Sequence, residues 1–345
     1  MKAADIITLA RQNVKRLKPY SSARDDFEGT ASVFLDANEN PYPNNYNRYP
    51  DPHQKELKKA ISKIKGVAPN CIFLGNGSDE AIDLLYRVFC EPGCDEVIIP
   101  QPTYGMYAVS AEVNNVKIIP TQLTPSFNVD PAVLKSATPQ TKMVFLCSPN
   151  NPSGNLLSVL AIENILNNFS GLVIVDEAYI DFTDSKSWAE RLAEFPNLVV
   201  LQTFSKAWGL AGLRLGMCFA NEVVIQLINK IKPPYNINAY SQSETLKAII
   251  SGEALKNQWV KDIRNQREIL KKSLSGIKSI KNIHPTDANF LLVEVADARG
   301  VYKALINGGI VVRDRSNVIL CDNCLRITVG TPEENQKLIQ ALEAI

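Results

Sequence analysis

Seven short runs of uninterrupted apolar residues, most of them separated by helical patterns, constrain this chain more than any other feature. They are CIFLG (71–75), EVIIP (96–100), VKIIP (116–120), KMVFLC (142–147), GLVIVDEAY (171–179), LVVLQTF (198–204) and LGMCFA (215–220). A strand with one face in water alternates apolar and polar residues, whereas a continuous run marks a strand covered on both faces. Between them, HQKELKKAISKI (53–64), SDEAIDLLYRVF (78–89) and SVLAIENILNNF (158–169) carry apolar residues at helical spacing. The alternation predicts an α/β fold on a mostly parallel sheet.

The pattern changes after residue 221. Helical segments dominate to about residue 275, with Leu255, Trp259, Ile263, Leu270 and Leu274 on one predicted face. Then follow NFLLVEV (289–295), a helix near 297–307, strand runs GIVVR (309–313) and CLRITVG (324–330), and a helix over 332–343 opened by Thr331 and Pro332. This reads as a smaller α+β domain. The start of the chain carries helical spacing at Ile6, Ile7, Leu9, Ala10, Val14 and Leu17, and later an extended Pro/Asn-rich connector, NENPYPNNYNRYPDP. The expected division is an arm over 1–45 that joins the small domain, a large domain over 46–245 and a small domain over 246–345.

Charge and cysteines narrow the class. Across 345 residues, 37 Lys+Arg balance 36 Asp+Glu, which argues against nucleic acid or an anionic membrane as the main partner. No apolar stretch approaches the roughly 20 residues that span a bilayer, and the N-terminus lacks the apolar region of a signal peptide. The seven cysteines lie mostly in apolar runs, as expected of reduced thiols in a cytoplasmic protein.

Several motifs carry little. Gly75-Asn76-Gly77 begins like a dinucleotide fingerprint, but Glu80 stands where the third glycine belongs. What survives is a glycine turn that aims backbone N–H groups and a helix N-terminus at an anion. Cys321 and Cys324 have C-x-x-C spacing without further ligands nearby, so no metal is expected. Two histidines and no G-x-S-x-G make a histidine-centred hydrolase a poor reading.

Three segments concentrate the chemistry, each at the C-terminal end of a strand run, where open α/β sheets bind ligands. They are Ser148-Pro-Asn-Asn-Pro-Ser-Gly154, Asp176-Glu-Ala-Tyr179 and Thr203-Phe-Ser-Lys206-Ala-Trp-Gly-Leu-Ala-Gly-Leu-Arg214. Taken singly, these read as a Pro/Gly turn, a capping aspartate and a solvated lysine. Together, Lys206, Asp176 and Arg214 with Ser205 suit pyridoxal 5'-phosphate. That cofactor needs an amine for its aldehyde, an acid to keep its ring nitrogen protonated, and donors for its phosphate.

On these motifs the chain resembles the fold-type I, class I/II pyridoxal-phosphate aminotransferases, and within them the histidinol-phosphate aminotransferase family. LKPYSSAR (17–24), LDANENPYP (35–43), RYPDP (48–52), GNGSDEAIDLL (75–85), PTYGMY (102–107), SPNNPSGN (148–155), DEAYIDF (176–182), TFSKAWGLAGLRLG (203–216), VVRD (311–314) and CLRITVGT (324–331) occur in that family's order. The resemblance implies a large domain on a mostly parallel seven-stranded sheet plus a small α+β domain. It implies Lys206 as Schiff-base lysine and general acid/base. Asp176 would pair with the ring nitrogen, Asn151 and Tyr179 with the phenolic oxygen, and Tyr104 with the ring face. Ser78, Asp79, Ser205 and Arg214 would bind the cofactor phosphate, with Tyr49 reaching in from the partner subunit of a homodimer. Tyr20, Asn38, Arg313 and Arg326 would contact substrate.

Two guanidinium forks suit a phosphate ester better than one. The expected reaction therefore couples L-histidinol phosphate and imidazole acetol phosphate to 2-oxoglutarate and L-glutamate, within L-histidine biosynthesis. Read alone, Arg313 is equally a surface arginine beside Asp314 and Arg315, and Tyr20 equally a packing residue. An aromatic aminotransferase or a threonine-phosphate decarboxylase on the same scaffold is the rival reading. A cofactor-dependent regulator would need a DNA-binding domain ahead of motifs that already begin near Tyr20.

Overall fold

A computed structural model describes residues 3–20, 29 and 31–345. All seven predicted runs are strands of one sheet: β1 (Ile72–Asn76), β2 (Glu96–Ile98), β3 (Lys117–Ile119), β4 (Thr141–Cys147), β5 (Leu172–Asp176), β6 (Leu198–Thr203) and β7 (Leu215–Ala220). Their order is β1-β7-β6-β5-β4-β2-β3. Every pairing is parallel except those of β7, which runs antiparallel to both β1 and β6. Continuous apolarity has the expected cause. Val173 and Val175 of β5 enter the core on one face of the sheet, while Leu172 and Ile174 enter the core on the other.

The three predicted helices are Lys55–Lys65, Gly77–Phe89 and Val159–Asn168. The N-terminal helices Ala3–Leu9 and Gln12–Arg16 bury Ile6 and Val14 among Leu227, Ile228 and the second core of the large sheet. In the sequence reading this segment joins the small domain; the structure packs it on the large one, because the helix Glu222–Ile231 offers the apolar face it needs.

The second sheet has the order β10-β11-β9-β8, from β8 (Ile280–Ile283), β9 (Phe290–Val295), β10 (Arg313–Asp314) and β11 (Cys324–Thr328). The run GIVVR contributes only Arg313 to a strand, since only Arg313 and Asp314 find a partner on β11. Helix Pro332–Glu343 starts at a capping box, with Thr331 and Glu334 satisfying each other's backbone N–H groups. A single 36-residue helix, Ala239–Leu274, joins the two sheets. Ile249 belongs to the large-sheet core, whereas Leu270 and Leu274 belong to the small one. The predicted boundary at 245/246 thus falls inside a continuous helix, where the packing partner changes. Leu255 and Trp259 are exposed, so the predicted apolar face is buried only toward its C-terminal end. Cys321 and Cys324 are free thiols buried in the large-sheet core. No helix among the described residues is long and apolar enough to cross a membrane.

Candidate active site

The C-terminal ends of β4, β5 and β6 lie side by side and open into a cleft. Ser78, Asp79, Tyr104, Asn151, Asp176, Tyr179, Ser205, Lys206 and Arg214 all line it. Residues spread over 137 positions of sequence thus converge as the motifs predict.

Asp176 closes β5 and is 2 % exposed. Its Oδ2 accepts the Tyr107 hydroxyl at 2.6 Å and its Oδ1 the Ala178 N–H at 3.0 Å. Burial nevertheless outweighs these donors and pushes its carboxyl up to about 6. A cation beside it reverses that shift. Lys206 follows the end of β6, with Nζ 5.6 Å from the centroid of the Tyr179 ring. Desolvation, then the Arg326 charge, lower its ammonium below the ordinary lysine range, against the pull of Asp176. Both shifts move these groups toward neutral pH, where proton transfer is efficient.

At the opposite wall, the helix Gly77–Phe89 presents its N-terminus. Gly77 has φ +71° and donates its N–H to the Arg214 carbonyl at 2.8 Å. A Cβ on Gly77 would lie 2.9 Å from Arg214 Nη2, and one on Gly216 would lie 2.2 Å from the Ser78 nitrogen. Backbone N–H groups, Ser78, Ser205 and the Arg214 guanidinium therefore crowd one anion-binding corner. The Tyr104 hydroxyl donates to Asp79 Oδ1 at 3.0 Å, and Arg214 Nη2 stands 3.6 Å from Asp79 Oδ2.

The small-sheet half of the chain meets the cleft through the loop that carries Asn151. Asp287 donates its N–H to the Gly154 carbonyl at 2.7 Å and accepts the Leu156 N–H at 2.9 Å. This ties it to the loop that carries Asn151. Gly154 has φ +87°, and a Cβ there would meet Thr286 Oγ1 at 2.2 Å, so only glycine fits. Arg326 of β11 donates to Asn151 Oδ1 at 2.6 Å. Arg313 is its register partner across the strand pair.

Three predicted residues stand elsewhere. Asn38 and Tyr49 line a second cleft, where the Tyr49 ring stacks on Tyr235 at 4.4 Å. Tyr20 is 73 % exposed, and residues 21–24 of its motif lie outside the described residues. The sequence reading missed Tyr107, although PTYGMY contains it, because nothing local shows that its hydroxyl meets a carboxylate 69 residues away.

A family profile described as "Aminotransferase class I and II" matches residues 27–342. The chain belongs to the class I and II aminotransferases. This aminotransferase is 53 % identical over 348 aligned positions to the histidinol-phosphate aminotransferase of Christiangramia forsetii, covering all of this chain and 99 % of that one. Its fold matches the histidinol-phosphate aminotransferase structure from Clostridium acetobutylicum, with TM-score 0.80, 24 % identity, and 87 % and 91 % of the two chains covered. It also matches the enzyme from Sinorhizobium meliloti in complex with pyridoxal-5'-phosphate, with TM-score 0.79, 22 % identity, and 86 % and 82 % covered. Class I and II aminotransferases use pyridoxal phosphate. The donor set fits that group: a buried carboxylate for the ring nitrogen, an amine of lowered pKa, and a glycine-crowded anion corner. Among the described residues, no cluster of three or more potential ligands could hold a metal ion.

Proposed function

We propose that this aminotransferase interconverts L-histidinol phosphate and imidazole acetol phosphate, with 2-oxoglutarate and L-glutamate as the other pair. The observation that carries the reading is the pair Arg313 and Arg326, opposite each other on the small sheet, with Arg326 reaching Asn151 in the cleft. Full-length relatives named histidinol-phosphate aminotransferase support it. Pyridoxal phosphate, when bound, supplies an aldehyde that takes up amino groups and a ring that accepts electrons. Asp176 would hold a proton on the ring nitrogen. Lys206 would be the group that takes up and returns the substrate's proton. Burial and the Arg326 charge lower its ammonium below the ordinary lysine range, which eases loss of its proton. Asn151 and Tyr179 would donate to the phenolic oxygen, and Tyr104 would pack on the ring. Ser78, Ser205, Arg214 and the backbone N–H groups of the helix N-terminus, that of Asp79 included, would hold the phosphate. Arg313 and Arg326 orient the phosphate of one substrate or a carboxylate of the other.

The working form is a homodimer, in which Tyr49 of each chain serves its partner's cofactor and Asn38 and Tyr20 border the substrate. Exposed Leu35, Tyr42, Tyr46 and Tyr240 support an interface around these residues. Seven free cysteines support a reducing, cytoplasmic setting. The test is product analysis with L-histidinol phosphate and 2-oxoglutarate. Stoichiometric L-glutamate is expected. Carbon dioxide release from threonine phosphate, or kcat/KM favouring phenylalanine, would overturn the assignment.

A further inference from the structure

We propose that Arg315 is a third cationic arm of the substrate-anion site, a specificity-determining residue that joins Arg313 and Arg326 on a phosphate ester. The inference rests on the phosphate-substrate reading above and deepens it.

The strand pairing supplies the geometry. Arg313 lies opposite Arg326, and Asp314 opposite Leu325. The Arg315 N–H donates to the Cys324 carbonyl at 2.9 Å, which continues the same register. Alternate residues share a face, so Arg313, Arg315, Arg326 and Cys324 point the same way. Their neighbours fix which way. Leu292, opposite Arg326 on β9, and Cys324 are buried in the large-sheet core. Leu325 and Ile327 face the opposite side, in the core of the small domain. The arginine face therefore looks onto the large domain and its cleft.

No ion pair among the described residues includes any of the three guanidinium groups. Arg326 has the Asn151 amide oxygen, while Arg315 Nε is buried with no hydrogen-bond partner. The intervening Asp314 is taken up by the Ser316 N–H at 2.8 Å. The charges of Arg326 and Arg313 and the Tyr179 hydroxyl all act on the Arg315 guanidinium, and Tyr179 lines the Lys206 cleft. Three like charges on one face, one with an unmet buried donor, form an arrangement that folding alone does not favour. An anion satisfies it. Two forks saturate the two oxygens of a carboxylate. A phosphate ester offers three oxygens and about two charges, so only it has room for a third donor. Arg315 thus separates phosphate from carboxylate ligands.

The experiment compares parent holoenzyme with Arg315→Gln and Arg315→Lys. Half-reaction constants are measured for L-histidinol phosphate, L-histidinol and L-glutamate, and binding of inorganic phosphate is measured by calorimetry. For Arg315→Gln, the KM for histidinol phosphate and the phosphate Kd are expected to rise about ten- to hundred-fold. The kcat, and the constants for histidinol and glutamate, should stay within about threefold, and Arg315→Lys should recover part of the loss. Equal losses on all ligands, or no loss on any, would overturn the role. If the parent itself shows no preference for histidinol phosphate over histidinol, the phosphate-substrate reading fails first, and the parent data alone reveal it. Cofactor absorbance and thermal unfolding check that the variants fold.

Discussion

Replacing Tyr107 by Phe removes a single hydroxyl and keeps the ring, which stacks on Phe145 at 5.0 Å. The lost group is one of two donors to Asp176, at 2.6 Å in a fully buried setting. A hydrogen bond to a charged acceptor is worth about 1.5–3 kcal/mol. Its loss costs the charged carboxyl more than the neutral one, so the carboxyl, at about 6 in the parent, titrates higher in the variant. The sign follows from linkage. A carboxyl raised above its unfolded value of about 3.9 favours folding below that value, and this contribution is lost as pH rises through the folded value. In the apoenzyme at pH 5, both proteins carry a neutral Asp176, and the variant loses only the neutral bond, about 1 kcal/mol. At pH 8 the variant loses about 0.5–2 kcal/mol more, the difference between the charged and the neutral bond, because its charged form is less well held. Urea unfolding of both apoproteins at the two pH values, at one protein concentration, measures the difference. A destabilisation equal at pH 5 and pH 8 would refute the claim that Tyr107 holds the Asp176 charge.

Three further predictions follow from the same geometry. Arg326→Gln removes a cation that lowers Lys206, so the lysine titrates higher and the acid limb of the pH–rate profile moves to higher pH; an unmoved limb would exclude that coupling. Arg313→Ala is expected to cost histidinol phosphate about 10–100-fold in kcat/KM and phenylalanine far less, whereas equal losses would remove its phosphate role. Gly216→Ala drives a methyl to within 2.2 Å of the Ser78 nitrogen. Cofactor Kd by absorbance titration should rise at least about tenfold as the anion corner is displaced, a distortion of about 1–3 kcal/mol.

Much of this was legible because burial on both faces writes itself into sequence. Val173 and Leu172 point to opposite cores, and both must be apolar, so every large-sheet strand shows as a continuous run. The strand-end position of Asp176 followed directly. Four features were not legible, for physical reasons. Tyr107 lies on a different element from Asp176, and a single hydroxyl leaves no periodic signal. In GIVVR the apolar residues suggest a strand, yet pairing is confined to Arg313 and Asp314, where β11 provides a partner. In the long helix Ala239–Leu274, Trp259 and Leu255 have apolar spacing without burial within one chain. The N-terminal helices could pack on either domain as far as periodicity goes, and the choice was made by the apolar face of Glu222–Ile231.

The most direct test of the central claim is a single-turnover absorbance measurement. Protein loaded with pyridoxal phosphate and freed of excess cofactor is mixed with L-histidinol phosphate in the absence of any keto acid. Rapid loss of the band of lysine-bound cofactor is expected as the aminated cofactor forms, and no such conversion in Lys206→Ala. A band that persists with histidinol phosphate but collapses with phenylalanine would contradict that claim.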